Sequence, residues 1–186
     1  MYSTSDFRKG LKVELNGEPF FIVDFLHVKP GKGGAFVRTT LKSLVTGNVI
    51  DRTFRSGEKV DAPDLEERTM QFLYESDGDY YFMDTESYEQ LFLTEDHLGD
   101  SKYYLHENVE VSVLFHNGKP IGVEPPMFVE LKVKSTEPGF KGDTAGSATK
   151  PATLESGLTV QVPLFVNEGE VLKIDTRTGR YIERVR

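Results

Sequence analysis

The chain has 186 residues, of which 28% are charged and 38% hydrophobic, and a formal net charge of −8; this is the make-up of an ordinary soluble globular protein rather than a disordered one. It contains no cysteine, which excludes disulfides, thiolate catalysis and cysteine-ligated zinc. Its apolar runs are far too short to cross a bilayer as a helix. The opening Met1-Tyr2-Ser3-Thr4-Ser5-Asp6 has neither the basic nor the apolar region of a signal peptide, so a cytoplasmic location without a membrane partner is expected.

In the first third, residues 12–15, 20–28, 35–41 and 48–54 are rich in Val, Phe, Ile and Thr and are bounded by the turn signals Asn16-Gly17 and Thr46-Gly47-Asn48, the pattern of short strands. Asp61-Ala62-Pro63-Asp64 interrupts it, and 62–67 is expected to make a short turn or helix. Strands are expected at 70–76 and 80–84 around Asp77-Gly78-Asp79. A short helix is expected at 94–98 with Thr94 as its N-cap. Strands at 109–116 and 121–123 flank Asn117-Gly118, and Pro125-Pro126 makes a second break. The remaining strands are expected at 129–135, 158–166, 170–175 and 181–185, the last two joined through Thr178-Gly179.

Twelve short strands with little helix predict an all-β chain of small barrels. The two breaks divide it into residues 1–64, 65–126 and 127–186, pieces of about sixty residues, a size at which a barrel folds alone with little to spare. The charge follows the same division. Residues 1–64 hold 10 Lys and Arg against 8 Asp and Glu, 65–126 hold 3 against 14, and 127–186 hold 9 against 8. The acidity belongs to the middle piece alone, which either aids solubility or avoids RNA and faces a basic protein, while the outer pieces are free to present basic patches. A weak echo, V-x-V…L-F-x-N…G, links 111–118 to 160–169 and suggests two copies of one barrel type.

Metal chemistry has little support. His27, His97, His106 and His116 show no ligand spacing, and neither a metal nor a cofactor is expected. Acidic clusters at 77–84 and 94–100 have no partner residue at a recognisable spacing, so they read as solvated turns rather than a catalytic carboxylate site. The aromatics Phe72, Tyr74, Tyr80, Tyr81, Phe82 and Tyr104 offer a base-stacking platform in principle, but with so few cations nearby, core and barrel-surface packing is the favoured reading.

The informative segment is Phe25-Leu26-His27-Val28-Lys29-Pro30-Gly31-Lys32-Gly33-Gly34-Ala35-Phe36-Val37-Arg38. Two β-runs flank Pro30, Gly31, Lys32, Gly33 and Gly34, which predicts a hairpin with a glycine-rich tip. The glycines leave Lys32 as the sole functional group at the apex, with Lys29 and Arg38 adding charge on the arms. Six residues of extended arm would carry it about 20 Å from its barrel. This is a cationic probe suited to a narrow anionic cleft; the plainer alternative is a solvated tip whose lysine discourages edge pairing. A nucleotide-binding loop does not fit, because the G-x-x-x-x-G-K-[ST] spacing and the following helix are missing. Further candidates for phosphate contacts are Lys42, Lys132, Lys134, Lys141 and Lys150.

Taken together with Thr53-Phe54-Arg55-Ser56-Gly57-Glu58-Lys59-Val60, Met70-Gln71-Phe72-Leu73-Tyr74, Gly142-Asp143-Thr144-Ala145-Gly146, Lys150-Pro151-Ala152, Val162-Pro163-Leu164-Phe165-Val166 and Gly179-Arg180-Tyr181-Ile182-Glu183-Arg184-Val185, this segment resembles the bacterial elongation factor P family along the whole chain. The resemblance implies an SH3-like (KOW) barrel followed by two OB-fold barrels, arranged in an L that mimics tRNA. It implies a monomeric accessory factor, not an enzyme, that binds the 70S ribosome between the peptidyl-tRNA and exit sites and relieves stalling at consecutive prolines. Its partners would be rRNA, the CCA end of the P-site peptidyl-tRNA, reached by the hairpin, and the exit-site mRNA codon, approached by Gly142, Asp143, Thr144, Ala145 and Gly146. It further implies that Lys32 is the target of a lysine-modifying enzyme adding a group such as β-lysine or aminopentanol; rhamnosylation of a tip arginine does not apply. The alternative class is a general single-stranded RNA-binding OB-fold protein.

Overall fold

A computed structural model describes residues 1–139 and 148–185. They form two compact units: Met1–Glu67 with Leu114–Gly122, and Arg68–Val113 with Val123–Arg186.

The N-terminal part contains β1 (Tyr2–Ser3), β2 (Lys12–Leu15), β3 (Glu18–Val28), β4 (Phe36–Ser43), β5 (Val49–Arg55) and β6 (Lys59–Val60). Strands β2-β3-β4-β5 make one antiparallel sheet, and β1 pairs with β6. Strict alternation along β4, from half-buried Phe36 through buried Val37, Thr39 and Leu41, places one face on a core of Phe7, Leu11, Val13, Leu15, Phe20, Ile22, Val37, Leu41, Phe54 and Val60. The expected Asn16-Gly17 turn is present with both residues at positive φ, 52° and 78°, the requirement of a two-residue hairpin turn. Asp77-Gly78 and Asn117-Gly118 repeat that geometry at 51° and 83° and at 50° and 79°.

Strands β7 (Leu65–Ser76), β8 (Asp79–Asp84), β9 (Gln90–Thr94), β10 (Glu110–His116) and β11 (Lys119–Glu124) form a sheet in the order β11-β10-β7-β8-β9. Strands β12 (Phe128–Thr136), β13 (Thr149–Leu154), β14 (Thr159–Pro163), β15 (Val171–Asp175) and β16 (Arg180–Arg184) form another, in the order β14-β13-β12-β15-β16. Between β9 and β10 lies the short helix α1 (Glu95–Leu98). Thr94 takes the extended N-cap backbone there, but its hydroxyl meets His97 Nδ1 at 3.1 Å instead of a backbone amide.

The structure departs from the sequence reading at three places. Residues 65–67 open β7 rather than form a turn or helix; Glu66 and Glu67 are exposed, where a polar run on a strand carries no penalty. The 149–154 strand contains Pro151, which sequence rules demote. It is tolerated because the β12 ladder stops at Ala152, so no amide is needed from residue 151 on that side, and the Pro151 carbonyl accepts the Thr136 hydroxyl at 3.0 Å. The 111–118 and 160–169 echo does not mark equivalent strands, since β10 is the fourth strand of its sheet in chain order and β14 the third; the two sheets nonetheless share one order, third-second-first-fourth-fifth, which agrees with two copies of one sheet type.

The two sheets do share a hairpin device. Asp84 ends β8 and its Oδ1 accepts the amides of Glu86 and Ser87 at 2.8 and 3.1 Å; Asp175 ends β15 and accepts from the Arg177 amide at 2.9 Å and from its guanidinium at 3.0 and 3.2 Å. The bonds to the Glu86 and Ser87 amides hold the Asp84 carboxyl below its ordinary range, and the Arg177 side chain, then its amide, does the same for Asp175. Each therefore contributes stability that is complete above the unfolded carboxylate range, about pH 4, and lost as pH falls through the depressed folded value. Thermal unfolding between pH 6 and pH 2 should show the loss, and Asp84→Asn should reduce its slope.

Candidate functional site

The β3–β4 ladder runs from Phe20 opposite Ser43 to Val28 opposite Phe36. A bulge between Ile22 and Asp24 leaves Val23 unpaired and exposed; such an extra residue bends a strand and sharpens its twist. Beyond the last pair, Lys29, Pro30, Gly31, Lys32, Gly33 and Gly34 are all exposed and Ala35 is half-buried. Lys32 makes no hydrogen bond or ion pair among the described residues; its ammonium stands free at the apex.

Of the tip glycines only Gly33 needs to be glycine for its backbone, at φ +98°; Gly31 and Gly34 take ordinary angles, and an added Cβ at any of the three would meet nothing within 4 Å. Gly33→Ala should therefore strain the turn by about 1 kcal/mol or more and redirect Lys32, while Gly31→Ala leaves the tip unchanged. Amide chemical shifts of 29–35 in the two variants check this.

The arms are not a free-standing pair, as the sequence suggested. Strand β5 accompanies β4 to its outer end, with Arg55 opposite Phe36, and the Ser56 amide donates to the Ala35 carbonyl at 2.9 Å. The β4 arm is thus flanked on both sides, and the exposed part is the tip itself. Arg38 lies on β4 opposite Leu26 and Thr53, with its guanidinium 5.7 Å from the Phe36 ring centroid. It lines an open cavity of about 390 Å³ together with Asp24, Leu26, Thr40, Asp51 and Thr53, where the Thr40 hydroxyl donates to Asp51 at 2.9 Å.

Residues 25–50 contain no Asp or Glu but carry Lys29, Lys32, Arg38 and Lys42. This acid-free run is a signal the sequence reading passed over, and it gives the tip and both its arms one sign of charge. Behind Arg38, the buried Thr39 hydroxyl has no hydrogen-bond partner among the described residues. An unsatisfied buried hydroxyl costs about 1–3 kcal/mol, so Thr39→Val should be neutral or stabilising by about 1 kcal/mol in urea unfolding.

Other expected phosphate contacts divide. Lys42, Lys132 and Lys134 are exposed. Lys150 is buried and donates its Nζ to the Glu137 carbonyl at 2.5 Å, which withdraws it from any ligand. Lys141 and the segment Gly142, Asp143, Thr144, Ala145 and Gly146 lie outside the described residues. Of the middle aromatics, Phe72 and Phe82 are buried, while Tyr74 is exposed. His116 is also buried, with Nε2 2.9 Å from Glu14 Oε1. Among the described residues, no group of three or more His, Cys, Asp or Glu could hold a metal ion, and no helix is long and apolar enough to cross a membrane.

Comparison with known proteins matches the chain to three family models: the elongation factor P KOW-like domain over residues 3–60, the elongation factor P OB domain over 65–123, and the elongation factor P C-terminal domain over 129–184. Elongation factor P of Natranaerobius thermophilus is 57% identical over 186 residues, covering 100% of this chain and 99% of the relative. That of Bdellovibrio bacteriovorus is 55% identical over 185 residues, covering 100% and 98%. Among solved structures, a eukaryotic translation initiation factor 5A from Methanococcus jannaschii superposes with a TM-score of 0.57 at 26% identity, covering 67% of this chain and 91% of that one.

Proposed function

The chain belongs to the elongation factor P family, and from that premise we propose that it binds the 70S ribosome between the peptidyl-tRNA and exit sites and promotes peptide-bond formation at consecutive prolines. The observation that carries this reading is the unpartnered Lys32 ammonium at an exposed apex, on a hairpin whose inner strands are built into a barrel core and whose surroundings from 25 to 50 hold no acid. An exposed cation on such a mount suits phosphate and ribose groups of a tRNA 3′ end.

Proline is a poor acceptor because its nitrogen is a ring-constrained secondary amine. Reaction needs that nitrogen and the peptidyl ester within about 3–3.5 Å and aligned. In this proposal Lys32 works as a cation and donor that holds the CCA end still, with Lys29 and Arg38 supplying further phosphate contacts; the bond is formed by the ribosome, and the protein is not itself the enzyme. Lys32 is also the proposed site for a lysine-modifying enzyme, since a longer cationic arm would extend the same contact. The segment Gly142–Gly146 is proposed to approach the exit-site codon. The three family-model matches support a division into KOW, middle OB and C-terminal OB pieces near residues 64 and 126, acting in the cytoplasm as a monomer.

Co-sedimentation with 70S particles tests the reading against a general single-stranded RNA-binding role. Retention on ribosomes with weak binding to free RNA oligomers is expected; strong, salt-sensitive oligomer binding with no retention on ribosomes would overturn it.

A further inference from the structure

Strands β7, β8 and β9 carry a row of aromatic side chains that the proposed role does not use. Tyr74 is directly opposite Tyr81, and Tyr81 is directly opposite Phe92. The Tyr74 and Tyr81 rings stack at 4.7 Å and 19°, and Tyr81 and Phe92 lie 5.9 Å apart at 41°. Phe72, Phe82 and Leu93 take the buried face of the same strands, so the row stands on the outer face. Its two ends are open to solvent, Tyr74 at 53% and Phe92 at 54% exposure. In register on either side are Gln71, Met83 and Gln90, and Ser76, Asp79 and Thr94. A cross-strand aromatic row stabilises a sheet by a few tenths of a kcal/mol per pair, but that purpose alone does not require it to face water.

The charge around it decides what could cover it. From residue 69 to 101 the chain has nine Asp or Glu and no Lys or Arg; Asp79 is in register beside the row, and Asp77, Glu86 and Glu89 are exposed. A base-stacking platform works with a cationic groove that tracks the phosphates, and here the field has the opposite sign. An arginine-rich segment meets both features at once. Guanidinium planes stack on aromatic faces, and the surrounding carboxylates receive the remaining charge.

We propose that the Tyr74–Tyr81–Phe92 row is a docking surface for an arginine-rich protein segment. The ligand lies across the rings with guanidinium groups stacked on Tyr74 and Phe92, and its on-rate is raised by the acidic surroundings.

The test uses the full-length protein in about 0.15 M salt, the physiological ionic strength, with amide chemical shifts as readout and three probes: a peptide of Arg-Gly repeats, its Lys-Gly counterpart, and an oligouridylate. The arginine peptide is expected to bind with shifts concentrated in 71–94 and to bind several-fold more tightly than the lysine peptide. Tyr74→Ser with Phe92→Ser leaves the charge unchanged and should weaken arginine-peptide binding by about tenfold through loss of the stacked faces. Should that variant fail to fold by circular dichroism, Tyr74→Leu with Phe92→Leu keeps apolar area and still removes the ring faces. Undiminished binding to the folded variant, shifts outside this face, oligouridylate binding on it, or self-association through it in sedimentation would each overturn the proposal.

Discussion

Lys32→Ala is expected to abolish most of the stimulation at consecutive prolines while leaving the fold untouched. The side chain is exposed and makes no hydrogen bond or ion pair among the described residues, so its removal should shift the melting temperature by less than about 2 °C, in line with surface substitutions generally. The loss in function should be large for the same reason: in the proposed role, the ammonium's contacts are with the ligand alone. Charge-assisted hydrogen bonds are worth about 1.5–3 kcal/mol, which is about 10–100-fold in rate if they are made when the reacting atoms align. Lys32→Arg keeps the charge but replaces a slim ammonium with a planar fork, so only partial recovery is expected. A reconstituted translation assay with a triple-proline reporter reads all three proteins. Wild-type rescue by Lys32→Ala would remove the basis of the proposed mechanism.

Phe54→Ala should have the largest effect on stability. Phe54 is fully buried, packs edge-to-face on Phe7 with centroids 5.4 Å apart, and is opposite Val37 on β4. Removing a buried phenylalanine costs about 3–5 kcal/mol, transfer and cavity together. A piece of about sixty residues has roughly 3–9 kcal/mol in total at ordinary stability per residue, so this one change consumes most of it. Urea unfolding followed by amide resonances should show residues 2–60 melting early, while Leu172 and Ile174, buried in the C-terminal sheet, keep their midpoint. A loss below about 1 kcal/mol would mean that this core repacks around the hole. Stimulation should fall together with the folded fraction, unlike Lys32→Ala, where function falls and the fold remains.

Much of this architecture was legible because local rules and the final fold agree. Asn16-Gly17, Asp77-Gly78 and Asn117-Gly118 fix hairpins through backbone angles that few other pairs adopt. The alternation in β4 announces which side faces the core. What escaped the sequence depends on partners distant along the chain. Pro151 looks like a strand breaker until the β12 ladder is seen to end at Ala152. Leu65–Glu67 looks like a solvated turn until β7 is in place. Lys150 is indistinguishable from the exposed lysines by its neighbours in sequence, yet a carbonyl from Glu137 claims it. The apex was readable from glycine spacing alone, but the support from β5 was not, because strand 49–55 meets the arm only after the chain has turned back.

That one-sided support makes the two arms unequal. The strand from Glu18 is accompanied on its outer side only as far as Ile22, whose amide donates to the Leu11 carbonyl at 2.9 Å. From Asp24 onward that edge pairs with no strand among the described residues, and the Phe25 amide is held by the Asp24 carboxylate at 3.0 Å, a local lid on a donor that would otherwise invite another strand. Deuterium should accordingly enter this part of the molecule unevenly: quickly at His27, the next amide on the open side, and slowly along 37–41, where both flanks are occupied. When the apex is pushed against a surface, the finger should yield toward its open side, like a ruler clamped along one long edge.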